Sequence, residues 1–308
     1  MRGRDLLSIS DLSPEELDLL IRTALSMKRD GSRPVLAGQT IAMLFEKPSL
    51  RTRVSFEVGM KQLGGSAIYL SQSEVGLGQR EPVADVARVL SRYVSGIVAR
   101  TYAQRSLEDL AQAADVPVIN ALSDDEHPCQ ALADLLTIRE KKGRLAGVRI
   151  AFVGDGNNVS SSLALAAALA GAEFVIASPP DYELPTWVVE TGRHWARRTG
   201  GVIETLSDPA QAVKGADVVY TDVWTSMGQE ASHQRRLEAF QGYQVNESLM
   251  ARAKPDAVFM HDLPAHRGEE TVDAVIEGPQ SVVFDQAENR LHAQKALLAA
   301  IMGDEAAI

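Results

Sequence analysis

The chain has 308 residues, 45% of them hydrophobic, enough for a large core and too many for one small domain, so two domains are expected. Its 31 basic and 41 acidic residues give a formal charge of −10 and a pI near 5.2, a balance that argues against nucleic acid or an anionic membrane as partner. An anionic small substrate would need positive charge gathered locally, and the single cysteine, Cys129, cannot close an internal disulfide and fits a reducing, cytoplasmic setting.

The opening MRGRDLLSISDLSPEEL has no apolar signal-peptide core. Ser13, Pro14 and Glu16 form a capping-box pattern, so the fold is expected to begin there without a transit peptide. The strand-like QTIAMLFE runs into EKPSLRTRVSFE, which places Ser49, Leu50, Arg51, Thr52 and Arg53 where a strand hands over to a helix closed by Gly64 and Gly65. Backbone N–H groups and the helix dipole favour an anion at such a junction. The hydroxyls of Ser49 and Thr52 add donors, and an arginine fork matches phosphate or carboxylate. A plain N-cap serine followed by solvated arginines is the competing reading of the same residues.

SAIYLS, GIVART and PVIN read as further strands, with the helix PVADVARVLSRYV between the first two. In EHPCQALADLLTIREKKG, Pro128 suits the first helical position, which makes His127 the N-cap near the carboxyl end of a sheet. Nothing marks Cys129 as an activated thiol, so it reads as buried packing. The polar, glycine-bearing stretch KKGRLAGVR (Lys141 to Arg149) is the natural boundary, giving a first domain of 1–142 with a final helix 287–308, and a second of 143–286.

Beyond it, VRIAFVGD, EFVIAS, GVIETL, DVVYTDVW, AVFMHDL and SVVFDQ read as strands alternating with helices. The alternation predicts an α/β protein of two doubly wound domains, each a parallel sheet flanked by helices, with the C-terminal helix crossing back to the first domain. The apolar run LALAAALAGA is too short to span a bilayer. VGDGNNVSSSL resembles the glycine turn of a dinucleotide fold, yet Val159 stands where a glycine or alanine is required and no acidic residue ends the next strand. What the turn offers is two adjacent amides, Asn157 and Asn158. DVWTSMGQE and MHDLPAHRGEE both follow strand-like runs. There Asp222 and Asp262 suit a cationic amine, Ser226 and backbone groups could orient it, and Gly228 suits the hinge of a lid. His261 and His266, five apart across Pro264 with no cysteine partner, do not read as a metal site.

Together these segments resemble the aspartate/ornithine carbamoyltransferase family. PSLRTR resembles its S-T-R-T-R motif and HPCQALADL its H-P-x-Q helix start, while DVWTSMG, HDLPAHRGEE and AENRLHAQKALL are similar to segments of the ornithine branch. The resemblance runs from about Leu6 to Leu298. It implies that Ser49, Leu50 through its backbone, Arg51 and Thr52 hold the phosphate of carbamoyl phosphate. Arg100, His127 and Thr52 would polarise the carbamoyl oxygen, Gln130 would bind the carbamoyl amide, and Arg290 would contact the same ligand. For ornithine it implies Asn158, Asp222, Ser226 and Met227 around the α-amino and α-carboxylate groups, with Asp262 and Leu263 near the side-chain amine. Arg51, Arg100, His127 and Asp262 are the implied catalytic residues, Arg53 a support for the loop.

The implied reaction moves the carbamoyl group to the δ-amine of L-ornithine, giving citrulline and phosphate, with no metal or organic cofactor. The same residues serve arginine biosynthesis or catabolism. A homotrimer, or a multiple of trimers, is implied, the loop SQSEVGLGQREP (71–82) reaching a neighbouring subunit. Its usual contact falls near Gly76, with Gln79 and Arg80 as substitutes. Two further departures matter: Leu50 replaces the usual threonine, and Asp262 replaces the usual cysteine. The competing readings are a transcarbamoylase acting on acetylornithine or putrescine, a nicotinamide-dependent oxidoreductase, and a non-catalytic anion-binding descendant.

Overall fold

The computed structural model describes residues 1–226, 228 and 230–304. Met227, expected near ornithine, lies outside the described residues. The chain divides into two units: Met1–Leu136 with the segment from Glu288 onward, and Thr137–Ala287.

In the first unit the strands are β1 (Thr40–Phe45), β2 (Ser66–Ser71), β3 (Gly96–Arg100) and β4 (Val118–Leu122), ordered β2-β1-β3-β4. All are parallel. β1, β3 and β4 are near-continuous apolar runs because helices cover both of their faces. β2, at the edge, is more exposed. The chain winds outward from β1 to β2 and resumes at β3 on the other side. Two loops therefore diverge at the carboxyl ends of β1 and β3, the switch point where open α/β sheets hold ligands.

The second unit repeats this logic with β5 (Arg149–Val153), β6 (Glu173–Ala177), β7 (Val202–Leu206), β8 (Val218–Tyr220) and β9 (Val258–Met260). The order is β7-β6-β5-β8-β9, again parallel. Its switch point lies between β5 and β8. The helix Asn158–Leu169 behind β5 is buried almost along its whole length, as its Ala-rich sequence requires.

SVVFDQ is not a strand. Val283 opens the last helix, Val283–Met302, and only Ser281 pairs with Phe259 in an isolated bridge. The β propensity of Val282, Val283 and Phe284 is local, and the unbroken helical sequence that follows overrides it. From Glu288 this helix belongs to the first unit, where Lys295 bonds Ser32 and Gln62 at 2.9 and 2.8 Å. No helix among the described residues is long and apolar enough to cross a membrane.

The glycine turn after β5 has a packing explanation. A Cβ on Gly156 would lie 2.3 Å from the carbonyl carbon of Glu183, and its N–H donates to the Tyr182 carbonyl at 2.8 Å. Close approach of two backbones requires this glycine, without any dinucleotide.

Candidate active site

The first cluster grows from the carboxyl ends of β1, β3 and β4. Ser49 is the N-cap of the helix Leu50–Gln62: its hydroxyl accepts from the Thr52 N–H at 3.3 Å and donates to the Thr52 hydroxyl at 3.0 Å. Thr52 is buried, and its hydroxyl accepts from Arg290 Nη2 at 2.9 Å. Arg290 also donates through Nη1 to Gln130 Oε1 at 2.6 Å, and Gln130 Nε2 donates to Asp134 at 2.8 Å. The last helix thus ties the helix after β1 to the helix after β4. Each bond also fixes which way the Gln130 amide points.

His127 precedes the helix Pro128–Lys142 and is buried, as are Arg100 and Arg290; Arg51 is half-buried. Burial holds the His127 pKa well below its ordinary 6.5, and the positive charges of Arg290, Arg100 and Arg51 push it further down. The ring is therefore neutral and can donate one hydrogen bond to a carbonyl oxygen without becoming an acid. Three guanidiniums around a neutral imidazole make a site for an anion whose neighbouring carbonyl is to be polarised. Leu50 is exposed and contributes its backbone at the helix start. Arg53 points elsewhere: it pairs with Glu57 at 2.9 Å and lies over the Tyr69 ring at 4.0 Å. Burial pushes the Cys129 thiol up to about 12, which keeps it inert.

The second cluster lies at the carboxyl ends of β5, β8 and β9 and has the opposite sign. Asn157 caps the helix Asn158–Leu169, its Oδ1 accepting from the N–H groups of Val159 and Ser160, both at 3.0 Å. Its Nδ2 donates to Asp222 at 2.7 Å, and the Val223 N–H donates to the other Asp222 oxygen at 2.7 Å. Asp222 is buried, and burial raises its pKa well above 3.8. Repulsion from Asp262 and a hydrogen bond with it add to the rise, while His261 opposes it. Asp222 therefore favours its protonated form beside Asp262. Asn158 and Ser226 are half-buried beside them in the chain.

Leu263 is held by His261, which is buried between two acids, Asp262 and Glu270. Burial lowers the His261 pKa, but hydrogen bonds to Asp262 and Glu270 carry it to about 10, which favours an imidazolium. The Leu263 N–H, however, donates to His261 Nδ1 at 2.9 Å. A proton on that nitrogen would set two N–H groups against each other, so the geometry decides for a ring protonated at Nε2, which bonds Glu270 at 3.2 Å. Leu263 sits at φ +61°, a left-handed conformation that this bond and the neighbouring turn maintain. Asp222, His261 and Asp262 place ligand atoms within 4.8 Å of one another, as do His266, Glu269 and Glu270. The first set has its imidazole lone pair committed to Leu263, and in the second the carboxylate of Glu270 accepts from the His266 N–H at 2.5 Å.

Comparison with known proteins agrees with this division. Residues 4–140 match the family description "Aspartate/ornithine carbamoyltransferase, carbamoyl-P binding domain", and residues 146–301 match "Aspartate/ornithine carbamoyltransferase, Asp/Orn binding domain". The chain belongs to the aspartate/ornithine carbamoyltransferase family. Among its relatives, the ornithine carbamoyltransferase of Thermococcus kodakarensis is 55% identical over 307 residues, covering 98% of each chain. That of Bacillus subtilis is 54% identical, over 97% of this chain and 94% of the relative. The solved ornithine carbamoyltransferase from Pyrococcus furiosus has a TM-score of 0.94 at 54% identity, covering 98% of this chain and 97% of that one. An N-acetyl-L-ornithine transcarbamylase mutant is more distant, at 33% identity and a TM-score of 0.89, covering 97% of this chain and 99% of that one.

Within this family frame, sequence reasoning passed over several residues that build the clusters. Asn157, rather than its neighbour Asn158 that the resemblance implied, donates to Asp222; the adjacent pair of amides after the glycine turn was the available signal. Glu270 anchors His261, and Arg236 donates to Asp155 at 2.6 Å and to the Trp224 carbonyl at 2.7 Å, holding the start of the loop after β8. No spacing rule links Arg236 to Asp155.

The buried, neutral His127 has a consequence for stability. Below about pH 6.5 an unfolded histidine takes up a proton that the folded ring refuses, so the unfolded state binds more protons and stability falls as pH falls. His127→Gln lacks this group. Its unfolding free energy in urea should decline less than that of the wild type between about pH 7 and pH 5; equal declines would mean that the ring is not held neutral.

Proposed function

We propose that the chain transfers the carbamoyl group of carbamoyl phosphate to the δ-amine of L-ornithine, giving L-citrulline and phosphate. The observation that carries this reading is the neutral His127 among Arg51, Arg100 and Arg290, an arrangement that fits a phosphorylated carbonyl compound better than a simple anion. Family membership and the ornithine carbamoyltransferases among its relatives supply the acceptor.

In this reading phosphate is held by Ser49, the Leu50 N–H, Arg51 and Thr52, and Arg290 binds the same ligand. Loss of the threonine hydroxyl at position 50 removes one donor and leaves the backbone donor in place. Gln130 takes the carbamoyl NH₂ through Oε1, whose second lone pair complements the bond from Arg290. Thr52, Arg100 and His127 polarise the carbamoyl oxygen. The δ-amine lone pair attacks the carbamoyl carbon, the C=O electrons move to oxygen, and the oxyanion is stabilised by these donors. As the C=O reforms, the bond to phosphate breaks. The leaving group is already activated, so positioning and electrostatics carry the catalysis.

On the amine side, Asn158, Asp222, Ser226 and Met227 orient the α-amino and α-carboxylate groups, and Asp262 and Leu263 lie near the δ-amine. Asp262 attracts the ammonium form, which on its own would oppose attack, and takes its proton as a general base. A homotrimer in the cytoplasm is the assembly and setting that accompany this reading. Leu50, Val54 and Val58, spaced along one helix face, and Ile68 on the edge strand β2 are exposed hydrophobics that support association of the first unit.

Two experiments test the reading. Citrulline should form from carbamoyl phosphate and ornithine, with little turnover when acetylornithine, putrescine or aspartate is offered instead; turnover with one of those and none with ornithine would overturn the choice of acceptor. The pH–rate profile of Asp262→Cys should be displaced from that of the wild type, and superimposable curves would remove Asp262 from proton handling.

A further inference from the structure

Besides Arg290 of the last helix, carbamoyl phosphate in this reading is gripped by groups from three separate chain segments, at the carboxyl ends of β1, β3 and β4. A single closed circuit joins those segments just outside the ligand residues. After β1, the Glu46 N–H donates to the Arg100 carbonyl at 2.8 Å, and the Glu46 carboxylate accepts from the Tyr102 N–H at 2.8 Å. Tyr102 follows β3, and its carbonyl accepts from the Asp124 N–H at 2.8 Å. Asp124 follows β4, and its carboxylate pairs with the ammonium of Lys47 at 2.5 Å. Lys47 returns the circuit to the segment after β1 and lies over the Tyr102 ring, 4.4 Å from its centroid.

The charges in this circuit are unevenly exposed. The Lys47 side chain is 7% exposed and that of Asp124 58% exposed. An ion pair between two exposed chains contributes little. A buried ammonium that loses the carboxylate it pairs with is a different matter, and it moves toward water or toward another anion. Lys47 stands two residues before Ser49, Tyr102 two after Arg100, and Asp124 three before His127. A shift in any of the three loops is passed directly to a ligand group.

We propose that Lys47, with Asp124, is a positioning residue for the anion site, clamping the three loops so that Ser49–Thr52, Arg100 and His127 meet one ligand. The proposal rests on the carbamoyl-phosphate reading of the first unit. Lys47 works through its neighbours and does not itself bind the substrate. Asp124 is thereby as important as Lys47, although no reasoning about phosphate recognition would choose a carboxylate.

The test is calorimetric binding of carbamoyl phosphate to the full chain, without ornithine, for wild type, Lys47→Met, Asp124→Asn, the double variant and Lys47→Arg. Lys47→Met and Asp124→Asn should each weaken binding, on the order of 10- to 100-fold, as small misplacements of ligand groups do. The double variant should be no worse than either single one. Lys47→Arg, which can still pair with Asp124 and stack on Tyr102, should recover most of the affinity. Thermal midpoints measured alongside separate a fold defect from a site defect. Loss in Lys47→Met with normal binding in Asp124→Asn would show Lys47 touching the anion directly and overturn the clamp, as would additive losses. Lowered midpoints with unchanged affinity would also overturn it. Wild-type protein that takes up no carbamoyl phosphate would overturn the functional reading itself, and the clamp with it.

Discussion

The guanidinium of Arg290 is the group on which the first unit's chemistry depends. It is buried, bonded to Thr52 at 2.9 Å and to Gln130 at 2.6 Å, and it reaches them from the last helix of the chain. A charge in that position needs acceptors, and Thr52 and Gln130 are themselves ligand residues in the proposed reaction. One cation thus orders the phosphate side and the carbamoyl side together. Burial keeps His127 neutral, and the charge of Arg290, with those of Arg100 and Arg51, reinforces it. A chain of net charge −10 can bind an anion only if its positive field is confined in this way.

The second unit answers with a carboxyl pair. Asp222 is fixed by Asn157 and the Val223 backbone, and burial, with Asp262 beside it, raises its pKa. In the proposed reaction such a pair would attract an ammonium group and offer Asp262 as a place for its proton. Asp262 in place of the family's usual cysteine changes the charge of this arrangement while His261 and Glu270 still brace the loop. In the proposed reaction the first unit would hold an electrophile with cations, and the second would prepare a nucleophile with acids.

Much of this was legible in the sequence. Parallel α/β architecture followed from strand–helix alternation, and the placement of Ser49–Thr52 and His127 at helix starts followed from capping chemistry. SVVFDQ misled because three β-formers, Val282, Val283 and Phe284, straddle the start of the last helix, whose own signal begins just after them. The dinucleotide-like turn, already set aside because of Val159, has a reason the sequence could not show: Gly156 answers the Glu183 backbone, which is far away in sequence. The partners of Lys47, Asp155 and His261 were invisible for the same cause. They are long-range pairs between loops, and residue type alone does not choose among the many acids and bases an acidic chain offers.

The most direct measurement is a crystal structure of the protein with carbamoyl phosphate bound. The phosphoryl oxygens should lie on the Ser49–Thr52 helix start with Arg51 and Arg290, and the carbamoyl oxygen should accept bonds from Arg100 and a neutral His127. The Lys47–Asp124 pair should be intact beside the ligand. An anion seated elsewhere, or a carbamoyl oxygen turned away from His127 and Arg100, would contradict the idea that this confined positive field exists to polarise a phosphorylated carbonyl group.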